Sequence, residues 1–393
     1  MIKILRYWPL FLAILITQSG CKGPGLPGDE ELKGLNRLPL IFPDYTAITI
    51  PYNIAPLNFR MEEEGEDFKA VLEGDQGTLL KLRARNKLFR IPPGKWSRFM
   101  EANRGSQFTV ELFKLQNRQW TRFEPFVIKV AGEAIDPYLA YRLIPPGYET
   151  WSSMGLYQRD LRSFREKPII ENRHIEDNCV NCHSFSKGSS ENMLFHVRGS
   201  IGGTMIKLGD HIEKLNLKNE ETLSAGVYPS FHPSGLYVAF STNRIEQYFH
   251  ASRKKTIEVL DRQSDLILYN TESQEISHVP GTEDDLHMET YPSWSPDGRT
   301  LYFSRTNANA DTPFDSIRYD IYRIAFDPVK GEFGEAEAVL LASDMGKSAS
   351  FPRISPDGKY LLSTLHDDGT FRIWHKEADL CLVDLNSGES EVQ

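Results

Sequence analysis

From about Tyr45 to Leu143 apolar and polar residues alternate in short runs split by turn residues, as in Phe68-Lys69-Ala70-Val71-Leu72, Thr78-Leu79-Leu80-Lys81-Leu82, Phe108-Thr109-Val110-Glu111-Leu112-Phe113 and Phe126-Val127-Ile128-Lys129-Val130. A period of two over about five residues predicts half-buried strands. Some hundred residues of such strands predict an N-terminal β-sandwich of immunoglobulin-like type over 45–143. Neither His nor Cys occurs in that stretch, so its expected role is structural. Residues 144–192 lose the alternation and are rich in Arg, Glu, Asn and Ser. They read as a long irregular segment, which in a compact protein is either functional or disordered.

Strand patterning returns from about 193, now as a repeat. Tyr228-Pro229-Ser230-Phe231-His232-Pro233-Ser234-Gly235, Tyr291-Pro292-Ser293-Trp294-Ser295-Pro296-Asp297-Gly298 and Phe351-Pro352-Arg353-Ile354-Ser355-Pro356-Asp357-Gly358 are each followed by an apolar run. In each, Pro presets φ, Asp or Ser bonds back to the backbone, and Gly takes the left-handed position, which closes a hairpin between two buried strands. Further strands follow at Leu266–Tyr269, Ile321–Ile324 and Leu380–Val383. Four strands per repeated unit predict the blades of a C-terminal β-propeller over 193–393. A weaker unit over 193–225 rests on the runs at Met193–Val197, Thr204–Leu208 and Ile212–Leu215.

In these units the chain resembles the TolB-like propellers, relatives of WD-repeat proteins whose blades carry a Pro-Asp-Gly turn. The resemblance implies a platform for binding envelope proteins. Propellers close with four to eight blades, and three motif-bearing units with one weaker unit stand at or below that minimum. The expectation is a truncated sequence or a ring completed by partners.

The N-terminus adds a location. Lys3 and Arg6 precede an apolar run, Trp8 to Ile16, and then Ser19-Gly20-Cys21. That order describes a signal peptide over 1–20, with an apolar run about half as long as a membrane span needs. Ser19-Gly20-Cys21 resembles the bacterial lipobox, with Gln18 where that pattern has Leu. The resemblance implies lipidation at Cys21 and a Gly/Pro-rich lipidated tether over 21–44, on the periplasmic side or surface of a bacterial envelope, at the outer membrane. A plain signal peptide is the alternative. The net charge of −9 and the absence of basic runs exclude nucleic acid as a partner. With 40% hydrophobic and 25% charged residues in 393, the composition is that of a folded protein of two or three domains.

One constellation carries chemistry: Cys179-Val180-Asn181-Cys182-His183. Cys-x-x-Cys-His is the attachment signature of c-type haem. Two thiols on one helical turn reach two haem vinyl groups, and the adjacent His183 ligates iron. Resemblance to c-type cytochromes implies one covalent haem c and electron exchange with a redox partner protein. A Cys179–Cys182 disulfide, a thioredoxin-like pair and a zinc site compete with that reading. For the sixth iron ligand His196 and Met193 lead, with Met205 and His174 behind them. Trp151, Tyr157, Arg159 and Arg162 are placed to meet haem propionates. Cys381 reads as a buried small hydrophobe, and Asp284-Asp285 with His287 as a solvated loop. No hydrolase motif occurs, so a turnover enzyme is not expected. The reading is therefore a lipid-anchored, mainly β protein with haem in the segment between its sandwich and its propeller. The alternatives are a haem-free interaction or transport-accessory lipoprotein, and a peroxidase-like haem enzyme.

Overall fold

Alternation in the sequence becomes alternation in burial. Along Phe126–Ala131, Phe126, Ile128 and Val130 are buried while Val127 and Lys129 face solvent. A computed structural model describes residues 32–144, 148–220, 222–249, 257–284, 286–367, 369 and 377–392. The predicted signal peptide and Cys21 lie outside them. The chain divides into two units, Met1–Leu139 with Gln158–Lys167, and Ala140–Tyr157 with Pro168–Gln393.

The first unit holds a seven-stranded and a three-stranded sheet. In the larger one, Gln107–Gln116 pairs with Asp67–Gly74, Gln119–Arg122 and Phe126–Ala131. The smaller one joins Ile41–Phe42, Phe59–Met61 and Leu88–Phe89. Phe59, Met61 and Phe89 share one core with Phe68, Leu72, Phe108, Val110 and Ile128, as a sandwich requires. Two short strands, Lys33–Gly34 and Ile41–Phe42, come from the stretch read as a tether. Their pairing with the sheets and the burial of Ile41 make the end of that stretch part of the domain.

The α-helix Pro93–Ala102 was not anticipated among strands. Pro93 sits in its first turn, where a missing N–H costs nothing. Trp96, Phe99 and Met100, three and four residues apart, bury one face in the core, each contributing on the order of 2 kcal/mol. The Trp96 Nε1–H donates to the Ile54 carbonyl at 2.9 Å.

Tyr138–Leu143, Gly155–Asp160 and Glu166–Glu171 pair as a further three-stranded sheet. The second unit then forms four consecutive four-stranded antiparallel meanders, the architecture of propeller blades. They span Cys179–Leu215, Val227–His278, Met288–Leu340 and Ser348–Val392. The last three carry the predicted turns, and their strands include Leu266–Tyr269, Ile321–Ile324 and Leu380–Val383.

The first blade corrects the sequence reading twice. It starts at Cys179 rather than 193, and Cys179–Ser186, read as irregular with a helical turn, is its first strand. The reason is its hairpin. Ser186 pairs with Ser189 across a two-residue loop, Lys187-Gly188, with φ of 49° and 68°. Two successive positive φ values make a tight hairpin turn whose twist matches the strands. It replaces the longer Pro-containing turn of the other blades and so hides the repeat.

Candidate functional site

The first strand of every blade breaks register at the same place. The shifts fall between Asn181 and Ser184, Val227 and Ser230, Thr290 and Ser293, and Ser350 and Arg353. In each the residue entering the bulge is left-handed: Cys182 at φ 50°, Tyr228 at 48°, Tyr291 at 55° and Phe351 at 57°. The next residue is His183 in the first blade and Pro229, Pro292 and Pro352 in the others. A bulge residue does not take part in the ladder, which is why proline is tolerated inside these strands. Cys182-His183 thus stands where the repeat elsewhere has an aromatic residue and proline.

These positions meet. The Tyr228 and Tyr291 rings lie 4.6 Å apart and those of Tyr291 and Phe351 4.1 Å. Next in the row, Cys182 receives a hydrogen bond from the Tyr228 N–H. The Ser184 hydroxyl accepts from the Phe231 N–H (3.4 Å), and Ser230 from the Trp294 N–H (3.3 Å), one blade to the next. In the fourth blade this place holds Arg353.

Burial pushes the Cys182 thiol up, against the pull of the Tyr228 N–H and of Arg198 and Arg142. Cys179 accepts from Arg142 Nη2 at 3.4 Å and from Asn181 Nδ2 at 3.6 Å. Both cysteines are free thiols. The His183 imidazole bonds to the Ala140 carbonyl and meets Phe185 edge-on at 5.7 Å. Burial first, then Arg142 and Arg353, lower its pKa and hold it neutral, against the Ala140 bond. Two buried polar atoms lack a partner here, Asn181 Oδ1 and Arg142 Nε. The strand is anchored from before the motif: Asn172 Oδ1 accepts the Val180 N–H at 2.9 Å, and its amide donates to the Trp151 carbonyl.

The candidate sixth ligands separate by sheet face. Cys179 pairs with Arg198, Asn181 with His196 and His196 with Thr204, so these five share one face. His196 is 5% exposed, bonds through Nδ1 to the Thr204 hydroxyl at 3.2 Å, and is pushed down to about 4 by burial and by Arg198. Met193 and Met205, an odd number of residues away, lie on the opposite face. His174 is committed to Glu171: its Nδ1 accepts the Glu171 N–H at 3.0 Å.

The residues expected to meet propionates are largely engaged elsewhere. Trp151 Nε1–H donates to the Asp177 carbonyl, Tyr157 to Glu171, and Arg162 pairs with Asp160 at 3.0 Å. Arg142, Arg198 and Arg353 were not singled out, because only the fold brings them to the motif. Cys381 is fully buried in its strand, as its alternation indicates. His287 bonds Asp284 at 2.8 Å, and Asp285 lies outside the described residues. Among the described residues no cluster of three His, Cys, Asp or Glu can hold a metal ion.

A second buried polar group escaped the sequence entirely. Asp261 accepts from Asn243 (2.9 Å) and Tyr319 (3.4 Å), and burial raises it to about 6. Glu289, fully buried, stands 3.1 Å from Arg305 and is raised to about 9 by burial. Isolated carboxylates in strands carry no spacing signal.

No family model and no curated protein matches the chain. Among solved structures it is similar to a DUF4784 family protein from Bacteroides caccae (10% identity, TM-score 0.36, 90% of this chain and 94% of that one). It is also similar to an oligogalacturonate lyase from Vibrio parahaemolyticus (10%, 0.30, 61% and 70%) and to the polysaccharide lyase Uly1 (10%, 0.35, 66% and 71%). The propeller assignment rests on the four sheets themselves.

Proposed function

We propose that the chain is a lipid-anchored envelope protein of c-type cytochrome kind, with one haem held covalently by Cys179 and Cys182 and ligated by His183. The donor set fits this group. Two free thiols stand within the strand, and the imidazole uses one ring nitrogen on a carbonyl and leaves the other for a metal, the usual arrangement of a ligating histidine. The bond that orients His183 on the Ala140 carbonyl, next to two free thiols, is the observation that carries the reading. Cys179 and Cys182 would each add S–H across a vinyl double bond, sulfur to one carbon and hydrogen to the other, with no net electron transfer.

When bound, the haem supplies one-electron chemistry. The chain's own residues would supply the rest: His183 a ring nitrogen for the iron, His196 a second imidazole on the sheet face of Cys179, and the blades a platform for a redox partner. Lipidation at Cys21 would hold the protein to the membrane, the outer membrane by this reading. The TolB-like turn motifs support the platform role.

The test is a pyridine haemochrome spectrum of the mature chain made in a host competent for haem maturation. One covalent haem per chain is expected, with incomplete or lost attachment in Cys182→Ser. An ultraviolet-only spectrum with a Cys179–Cys182 disulfide would instead support the haem-free interaction or transport-accessory reading. Peroxide turnover by the loaded protein would mark it as a peroxidase-like enzyme.

A further inference from the structure

Three guanidinium groups stand about the Cys-x-x-Cys-His strand, and among the described residues no carboxylate pairs with them. Arg142 bonds Cys179 sulfur, a weak acceptor, and its Nε is buried without a partner. Arg198 stands directly across from Cys179, and its charge acts on Cys182, His196 and Tyr228. Arg353, in the fourth blade, acts on His183 and bonds only the Pro352 carbonyl. None of the three pairs with a carboxylate among the described residues. Elsewhere in this unit Arg173, Arg262, Arg305 and Arg323 face carboxylates at 2.6–3.1 Å. In a chain of net charge −9, three uncompensated cations at one motif concentrate a positive field there.

Resting on the haem reading above, we propose that Arg142, Arg198 and Arg353 bind the two propionate carboxylates of the haem held by Cys179, Cys182 and His183. Two carboxylates match the sign of the field, and a guanidinium fork grips a carboxylate through two parallel N–H donors. Thioether formation at Cys179 weakens the one acceptor that Arg142 now has, so its donors turn to an oxygen. Arg198 and Arg353 keep solvent exposure, as residues gripping the polar edge of a buried ring should.

The experiment uses the full chain loaded with haem, as wild type and as Arg142→Gln, Arg198→Gln and Arg353→Gln. Covalent haem is counted first by pyridine haemochrome. Spectroelectrochemistry and the propionate bending band in resonance Raman follow. Each lost cation is expected to raise the ferric-to-ferrous ratio at fixed potential about tenfold, since a nearby positive charge favours the reduced iron. The Raman band shifts with it, and Arg198→Lys restores the ratio. Arg244→Gln, removing a surface cation bonded to Gln263, leaves both unmoved. Fully loaded variants with unchanged ratio and band would overturn this assignment alone. Wild type without covalent haem would overturn it together with the haem reading. Should Arg142→Gln fail to fold, the two exposed arginines decide the matter.

Discussion

The first and third blades build the same bulge from different chemistry. In the third, Tyr291 is 3% exposed, with Tyr228 on one side and Phe351 on the other, and Pro292 follows where no ladder N–H is needed. In the first, Cys182 and His183 occupy those two places with the same left-handed turn. The backbone is set by the repeat, while the side chains are packing in one blade and candidate cofactor ligands in the other. A left-handed non-glycine residue costs on the order of 1–2 kcal/mol, and all four blades accept it. A ligand pair can therefore be placed there without a new loop.

The largest expected effect comes from making the first blade like the third. Cys182→Tyr with His183→Pro should abolish covalent haem completely while far-ultraviolet circular dichroism stays that of the wild type. A variant that loses its β signal would show that the two bulges are not equivalent.

The next effect reverses the comparison. Tyr291→Ala opens the centre of the aromatic row and should cost about 3–5 kcal/mol in urea unfolding. Cys182→Ala in haem-free protein removes one small group and should cost about 1 kcal/mol. Equal costs would mean that Cys182 packs as heavily as the aromatic residues.

How much of this was legible follows from the same contrast. The three turn-bearing blades declared themselves because Pro, Asp or Ser, and Gly recur at fixed offsets, and each residue type is needed for its dihedral or its side-chain bond. Ser295 and Ser355 bond Asp297 and Asp357 at 2.6 Å, and His232 with Ser234 makes the corresponding contact at 2.7 Å. The first blade used Lys187-Gly188 instead, a weaker signal, and its Cys-His pair masked the Tyr-Pro position. The sandwich strands were readable from burial with period two. The helix Pro93–Ala102 was not, since ten residues among strands give only three apolar contacts to detect. Arg142, Arg198 and Arg353 lie far apart in sequence, and only strand pairing and blade order gather them.

Glycine turns give a smaller and sharper contrast. Gly188 at φ 68° has open space where a Cβ would stand, so Gly188→Ala should cost about 1 kcal/mol from the backbone alone. A Cβ on Gly298, at φ 72°, would lie 2.2 Å from His232 Nε2, which is hydrogen-bonded to the Gly298 carbonyl. Gly298→Ala should therefore cost more than Gly188→Ala, by an amount the difference in urea midpoints reports.

The last contrast is in pH, where the two blades have opposite signs. His196 in the first blade is held down to about 4, against 6.5 in an unfolded chain. Between those values the unfolded state binds more protons, so stability falls as pH drops from about 6.5 to 4. Glu289 in the third blade is held up to about 9 from 4.5. There the folded state binds more protons, so stability falls as pH rises through that range. Between pH 4.5 and 6.5 the two slopes oppose each other, so urea midpoints, read in the haem-free Cys182→Tyr, His183→Pro background, should stay nearly level there and fall from 6.5 to 9. Glu289→Gln should remove the alkaline fall and uncover the acid one, and His196→Gln should carry the alkaline fall down to pH 4.5. An acid limb that survives His196→Gln in the Glu289→Gln background would assign the cost to another group and remove the buried imidazole from the comparison.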